Sequence, residues 1–141
     1  MNFVPPGGTS FVSIGDLVEG LILLAEKGRA GERYIFCAEN MEYKVLAERI
    51  AGVLQVKAPH FTLPRFTYYP ALGAVKLIEL FSGIPNKKIN LITAQILEES
   101  YGYKYFNSQK AKDELGWRPK KSLEEAVSEA FEYYKREGLI K

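Results

Sequence analysis

Cysteine and histidine are nearly absent from this chain, and each scarcity closes off a class of chemistry. Cys37 is the one cysteine, so no internal disulfide can form. Its place in the apolar run Tyr34-Ile35-Phe36-Cys37 reads as a buried structural thiol rather than a nucleophile. The one histidine is His60, which makes a Ser-His-Asp triad or a multi-histidine metal site hard to assemble. Flanked by Pro59 and Phe61, it reads as a surface or strand-edge residue. An excess of one charge is missing too: the formal net charge is +2. That leaves no electrostatic case for nucleic acid or an anionic membrane as partner. The doublets Lys87-Lys88 and Lys120-Lys121 read as solvated loop charges. A membrane span needs about 20 apolar residues. The longest apolar stretch, Phe66 to Phe81, falls short of that and is interrupted by Lys76 and Glu79. No basic-then-apolar leader opens the sequence, so a reducing cytoplasm is the expected location.

The motifs that carry chemistry are also missing. No glycine-rich loop follows a strand, so there is no dinucleotide cradle. Pro6-Gly7-Gly8 is too short and proline-bound to serve as one. There is no phosphate-binding Gly-x-x-x-x-Gly-Lys and, despite nine tyrosines, no Tyr-x-x-x-Lys. In that pair a lysine one helical turn away lowers the phenol pKa, so the tyrosine can act as acid or base. Glu98-Glu99 and Glu124-Glu125 are adjacent on helices and diverge, so they read as solvated faces rather than shared acid/base sites. The expectation is therefore no catalytic, cofactor-binding or metal-binding residue in this chain by itself.

What is present is ordinary globular sequence. The 141 residues are 47% hydrophobic and 26% charged, enough for one domain with one core. Short apolar runs alternate with helical periods, which predicts an α/β arrangement. Phe11 to Ile14 reads as a strand. Asp16, with Glu19 three residues on, reads as an N-cap opening a helix to Lys27 that buries Leu17, Val18, Leu21, Leu24 and Ala25 and is ended by Gly28. Arg33 to Cys37 reads as a strand covered on both faces. A helix follows from Glu42 to Leu54, with the cleanest periodicity in the chain. His60 to Leu63 reads as a third strand, stopped by Pro64. Phe66 to Phe81 is apolar nearly all round, as in a helix buried on several sides, and Pro70 either opens or kinks it. Residues 82–86 read as a loop, and Thr93 as the cap of a short helix carrying Ile96 and Leu97. Tyr101, Tyr103 and Tyr105 alternate as on one face of a short strand. Such a row either packs its rings on a helix or lines a ligand pocket. Ser108 opens a short helix to Leu115, and Ser122 with Glu125 caps the last one, which buries Leu123, Ala126, Val127, Ala130, Phe131 and Tyr134.

Three segments carry a resemblance. One is Tyr105-Phe106-Asn107-Ser108-Gln109-Lys110-Ala111, then Glu114-Leu115-Gly116-Trp117-Arg118-Pro119 and Ser122-Leu123-Glu124-Glu125-Ala126. Another is Phe11-Val12-Ser13-Ile14-Gly15-Asp16-Leu17-Val18-Glu19-Gly20. The last is Gly28-Arg29-Ala30-Gly31-Glu32-Arg33-Tyr34-Ile35, with Glu39-Asn40 after it. In this order and spacing the sequence resembles the C-terminal, substrate-binding portion of extended short-chain dehydrogenases of the NAD-dependent epimerase/dehydratase family. The branch it is most similar to is that of dihydroflavonol 4-reductases. Asn107 stands where the pattern commonly has Asp, losing a charge but keeping a capping side chain.

The resemblance implies a mostly helical C-terminal lobe over residues 1–141, with a few short, partly parallel strands and no Rossmann domain. It implies NAD(P) for the complete enzyme and none bound by this chain alone. It implies a small-molecule substrate, with Ser10 and Phe11 as pocket candidates at the strand junction. Tyr68 and Tyr69, on the apolar helix, and Tyr101 and Tyr103 are added from position and chemistry. Sugar-nucleotide members often place an Arg just before the Phe-Val strand, where a cation can hold diphosphate. Here that neighbourhood is Gly7-Gly8-Thr9-Ser10, which favours a reductase over a sugar-nucleotide epimerase or dehydratase. A non-catalytic interaction module is the alternative of a different class. Apolar faces that would lean on a Rossmann domain predict either such a partner or a homo-oligomer. Trp117 is expected to be buried against the short helix it follows.

Overall fold

The computed structural model describes residues 3–82, 96 and 98–140. Two small sheets and a set of helices form a mixed α/β lobe of the kind expected. Strand β1 (Phe3–Val4) lies parallel to β4 (Phe61–Thr62), and β2 (Gly8–Phe11) runs antiparallel to β3 (Glu39–Glu42). β1 has no sequence signal, being two residues between a terminus and a proline pair.

The strand expected at Phe11 to Ile14 lies earlier, over Gly8–Phe11, because Ser13 is already the cap of helix α1 (Ile14–Lys27). The Ser13 side chain accepts the Asp16 N–H at 3.0 Å, so Asp16 is not the cap but a residue of the first turn. The face that α1 buries is correspondingly rotated. Asp16 and Gly20 are buried, and Leu23 and Leu24 pack on the core, while Val18, Leu21, Ile22 and Ala25 face outward. Gly20 is required by close approach: a Cβ there would sit 2.7 Å from the Phe36 ring.

Residues 33–37 join no ladder, so the strand expected there is absent. The pairing occurs just beyond, at β3, after the Ala38 N–H donates to the Phe11 carbonyl at 2.8 Å. One side of the apolar run is covered, through Tyr34, Phe36 and Cys37, whereas Ile35 is exposed. Helix α2 (Tyr43–Leu54) matches its expected span within a residue. A 3₁₀ turn at Arg65–Thr67 leads into α3 (Tyr68–Ser82), with Pro70 in the first turn, where its missing N–H costs nothing. The expected loop at 82–86 falls, after Ser82, outside the described residues, as do Thr93 and Leu97; Ile96 is helical and exposed.

Helix α4 (Gln109–Leu115) ends at Gly116, which adopts a left-handed φ of 73°. That reverses the chain and drops Trp117 into the core. Trp117 is fully buried with Ala111 and Leu115, its ring edge-on to Phe36 at 5.3 Å, and its indole N–H donates to the Asp16 carbonyl at 2.8 Å. The last helix, α5 (Leu123–Arg136), carries the expected capping box of Ser122 and Glu125. Its buried face is shorter than expected: Leu123 is buried and Ala126 and Val127 half-buried, but Ala130, Phe131 and Tyr134 are exposed.

Polar groups assigned to solvent are used instead as ties. Arg49 on α2 holds Glu124 at 2.6 Å and Glu39 at 2.8 Å. The Glu124 carboxyl is pushed down to about 2, first by its hydrogen bonds from Arg49. Lys120 pairs with Glu19, and Lys121 with Glu129. The backbone N–H groups of Lys120 and Lys121 both donate to the buried Asp16 carboxylate, at 3.0 and 3.1 Å, and the Ser13 hydroxyl adds a third bond at 2.8 Å. Burial alone would raise the Asp16 pKa. The bonds from Lys120, Ser13 and Lys121 outweigh it and hold the carboxyl below its usual range.

Candidate functional site

Pro64 and the Arg65–Thr67 turn fix one wall of an open cleft. Thr67 is locked in the turn by its N–H and hydroxyl, which donate to the Pro64 carbonyl at 3.0 and 2.6 Å. The Thr67 hydroxyl also lies 2.6 Å from the Tyr101 hydroxyl, at the end of the helical residues 98–101. This bond clamps the turn before α3 to the segment that forms the opposite wall. The cleft between them has a volume of about 530 Å³ and is lined by Arg65, Tyr68, Tyr69, Glu98, Tyr101, Gly102 and Tyr103.

Its interior is a train of phenol rings. Tyr68 meets Tyr69 edge-on at 5.4 Å and Tyr101 at a tilt at 5.5 Å. The Arg65 guanidinium lies 5.2 Å from the Tyr103 ring centre, over its face. Tyr103 is positioned by β2, since it bridges Gly8 in parallel and the next residue, Lys104, donates its N–H to the Gly8 carbonyl at 2.9 Å. The Tyr101–Tyr105 row is therefore not one strand. Tyr101 belongs to the helical turn and faces Tyr68, while Tyr103 and Tyr105 do share a side, their rings 5.3 Å apart. The result is a surface that can hold a flat ring by stacking, offer several phenolic hydroxyls, and place one cation and one carboxylate at its rim.

Tyr68, Tyr69, Tyr101 and Tyr103 thus share this cleft, whereas Ser10 and Phe11 are not among its lining residues. The Ser10 hydroxyl donates to the Asn40 side-chain oxygen at 2.5 Å, with the Lys104 carbonyl also at 3.0 Å, and accepts the Phe106 N–H at 3.0 Å. Asn40 returns a bond to the Phe106 carbonyl at 3.0 Å. Ser10 therefore ties β2 and β3 to the segment that follows Tyr103. Phe11 is half-buried at the strand end, in register with Glu39. Arg65 and Glu98 were not legible as site residues. Each is a charged residue near an aromatic segment, a signal too common to select.

Cys37 is buried and its thiol donates to the Asn40 side-chain oxygen at 3.3 Å, as suits a structural group; His60 is exposed. Among the described residues no cluster of His, Cys, Asp or Glu could hold a metal ion, and no helix is long and apolar enough to cross a membrane.

No family model matches the chain. It is 26% identical over 135 residues to anthocyanidin reductase from Arabidopsis thaliana, a match covering 96% of this chain and 30% of that protein. It is 23% identical over 141 residues to a putative dihydroflavonol 4-reductase from Synechocystis sp., covering 95% of this chain and 39% of that protein. Among solved structures, gox2253 superposes on all of this chain and 41% of its own, with 30% identity and a TM-score of 0.78. PA4631, a nucleoside-diphosphate-sugar epimerase from Pseudomonas aeruginosa, superposes on all of this chain and 40% of its own, at 22% identity and a TM-score of 0.74. UDP-glucuronic acid 4-epimerase from Bacillus cereus, solved with NAD, shares the fold over 95% of this chain and 34% of its own, at 13% identity and a TM-score of 0.57. The chain therefore spans well under half the length of the proteins it matches.

Proposed function

Because the chain belongs with the extended short-chain dehydrogenases, as the counterpart of their C-terminal portion, we propose that it is the substrate-binding part of an NAD(P)-dependent reductase of the dihydroflavonol 4-reductase kind. The tyrosine cleft carries this reading. It is a ready-made surface for a small carbonyl or hydroxyl compound, held by stacking and by phenolic hydrogen bonds. NAD(P) would be held by a Rossmann domain, since neither a glycine-rich loop nor a Tyr-x-x-x-Lys pair occurs in these residues. The 141 residues alone then transfer no hydride.

A nucleoside-diphosphate-sugar epimerase is the second reading, and the fold shared with PA4631 favours it. The lining of the cleft speaks for the reductase instead. Among the described residues lining it Arg65 is the one cation, and a diphosphate calls for more than one positive group.

A titration of the chain with NADPH, followed by cofactor fluorescence, tests the division of labour. No low-micromolar binding is expected, and a low-micromolar Kd would overturn it. Association follows from the same reading. Ile14, Val18, Leu21 and Ile22 form an exposed apolar stripe on α1, which suits a Rossmann partner or a second copy. In a cytoplasmic setting without that partner, a homodimer or larger species is expected by sedimentation equilibrium at low micromolar concentration. A monodisperse 15.9 kDa species that binds no hydrophobic dye would show the stripe needs no partner.

A further inference from the structure

The tyrosine cleft contains a feature that stacking alone does not require. Arg65 is exposed and sits at the mouth, its guanidinium over the Tyr103 face. Other arginines spend their donors within the fold: Arg29 holds Glu114 at 2.6 Å, Arg49 holds Glu124 at 2.6 Å, and Arg118 donates to the Lys112 carbonyl at 2.8 Å. Among the described residues Arg65 has no carboxylate within ion-pair distance, although Glu98 lines the same cleft. The Tyr103 ring attracts the guanidinium through its π face and offers no lone pair, so the contact leaves hydrogen-bonding capacity on Arg65 for another acceptor.

We propose that Arg65 is a specificity-determining residue of this cleft, selecting a planar aromatic compound that carries an oxyanion, a carboxylate being the simplest form. The ring lies against Tyr68, Tyr101 and Tyr103, and the oxyanion takes the in-plane N–H pair of Arg65 in a bidentate contact. A hydrogen-bond donor on the far side of the ring, such as a hydroxyl, suits Glu98. The proposal rests on the tyrosine cleft being the substrate site, and it adds the charge of the substrate to that reading.

Two probes of the same shape separate the two ideas: 4-hydroxybenzoate and its neutral analogue 4-hydroxybenzamide. Both are titrated into the intact chain and followed by NMR at the tyrosine ring protons. The acid is expected to bind about tenfold more tightly than the amide, the scale of one charge-assisted contact, and to perturb Tyr68, Tyr101 and Tyr103. Arg65→Gln should abolish that preference, with binding of the acid falling to the level of the amide. Wild-type chain that binds acid and amide equally well in the cleft would overturn the role of Arg65 and leave the cleft as the substrate site. If neither probe perturbs the cleft tyrosines, both ideas fail together. An acid preference that survives Arg65→Gln would place the anion elsewhere and overturn the assignment.

Discussion

The Trp117 cluster and the tyrosine cleft are both built from aromatic side chains, yet they lie at opposite ends of the scale of burial. Around Trp117 every polar group is spent inward. The indole N–H meets the Asp16 carbonyl, the Asp16 carboxylate collects Ser13, Lys120 and Lys121, and the Ser108 hydroxyl donates to the Cys37 carbonyl at 2.8 Å. In the cleft the Tyr101 hydroxyl is paired with Thr67, but the hydroxyls of Tyr68, Tyr69 and Tyr103 meet no partner among the described residues, and Tyr69 is 76% exposed. Aromatic content is the same signal in both places. What separates a core from a binding surface is whether the polar atoms are already paired.

Substitutions should split along that line. The largest effect is expected for Trp117→Ala, which empties the core cluster and removes the indole bond to the Asp16 carbonyl; a loss of about 3–5 kcal/mol in stability by denaturant titration is expected. An unchanged melting temperature would show that the cluster does not hold the lobe together.

Next comes Asp16→Ala, which leaves two backbone N–H groups and the Ser13 hydroxyl without their acceptor, at a cost of about 2–4 kcal/mol. Acid should reproduce part of it. The Asp16 carboxyl is held below its usual value when folded, so its contribution is complete above the unfolded carboxylate pKa and is lost as pH falls through the folded one. Glu124, held at about 2, has the same sign. Stability should therefore decline as pH drops below roughly 4, and Asp16→Ala should flatten that decline. An equally steep loss in the variant would assign acid sensitivity to other carboxylates.

The smallest effect is expected in the cleft. Tyr69→Ala removes an exposed ring and should change stability by no more than about 0.5 kcal/mol, while weakening aromatic ligands. A loss comparable to that of Trp117→Ala would make the cleft a piece of core and erase the comparison.

How much of this was legible varies with the range of the forces involved. Ser122 and Glu125 declared their capping box because both partners lie within one helical turn. Gly116-Trp117 was readable for the same reason: a glycine stop followed by a large aromatic implies a reversal into the core. Asp16 misled because Asp is also a good cap; its true partners are about a hundred residues away, at Lys120 and Lys121. The run Tyr34 to Cys37 misled because an apolar run has the same composition whether it pairs in a sheet or lies across a cluster. In the cleft, the tyrosines were found by their chemistry, but their meeting with Arg65 and Glu98 across the chain could not be.

The sequence by itself determined the local events: where helices α2 and α4 begin and end, where α5 begins, which glycine reverses the chain, and the order of motifs that carries the resemblance to extended short-chain dehydrogenases. Those depend on side chains and backbone groups a few residues apart, whose geometry the helix fixes. Only the tertiary structure decided which apolar faces are covered, which charges are tied and which tyrosines share a cleft. Burial and long-range pairing depend on what packs from elsewhere in the chain, and the Thr67–Tyr101 contact at 2.6 Å that closes the cleft joins residues that no local pattern relates.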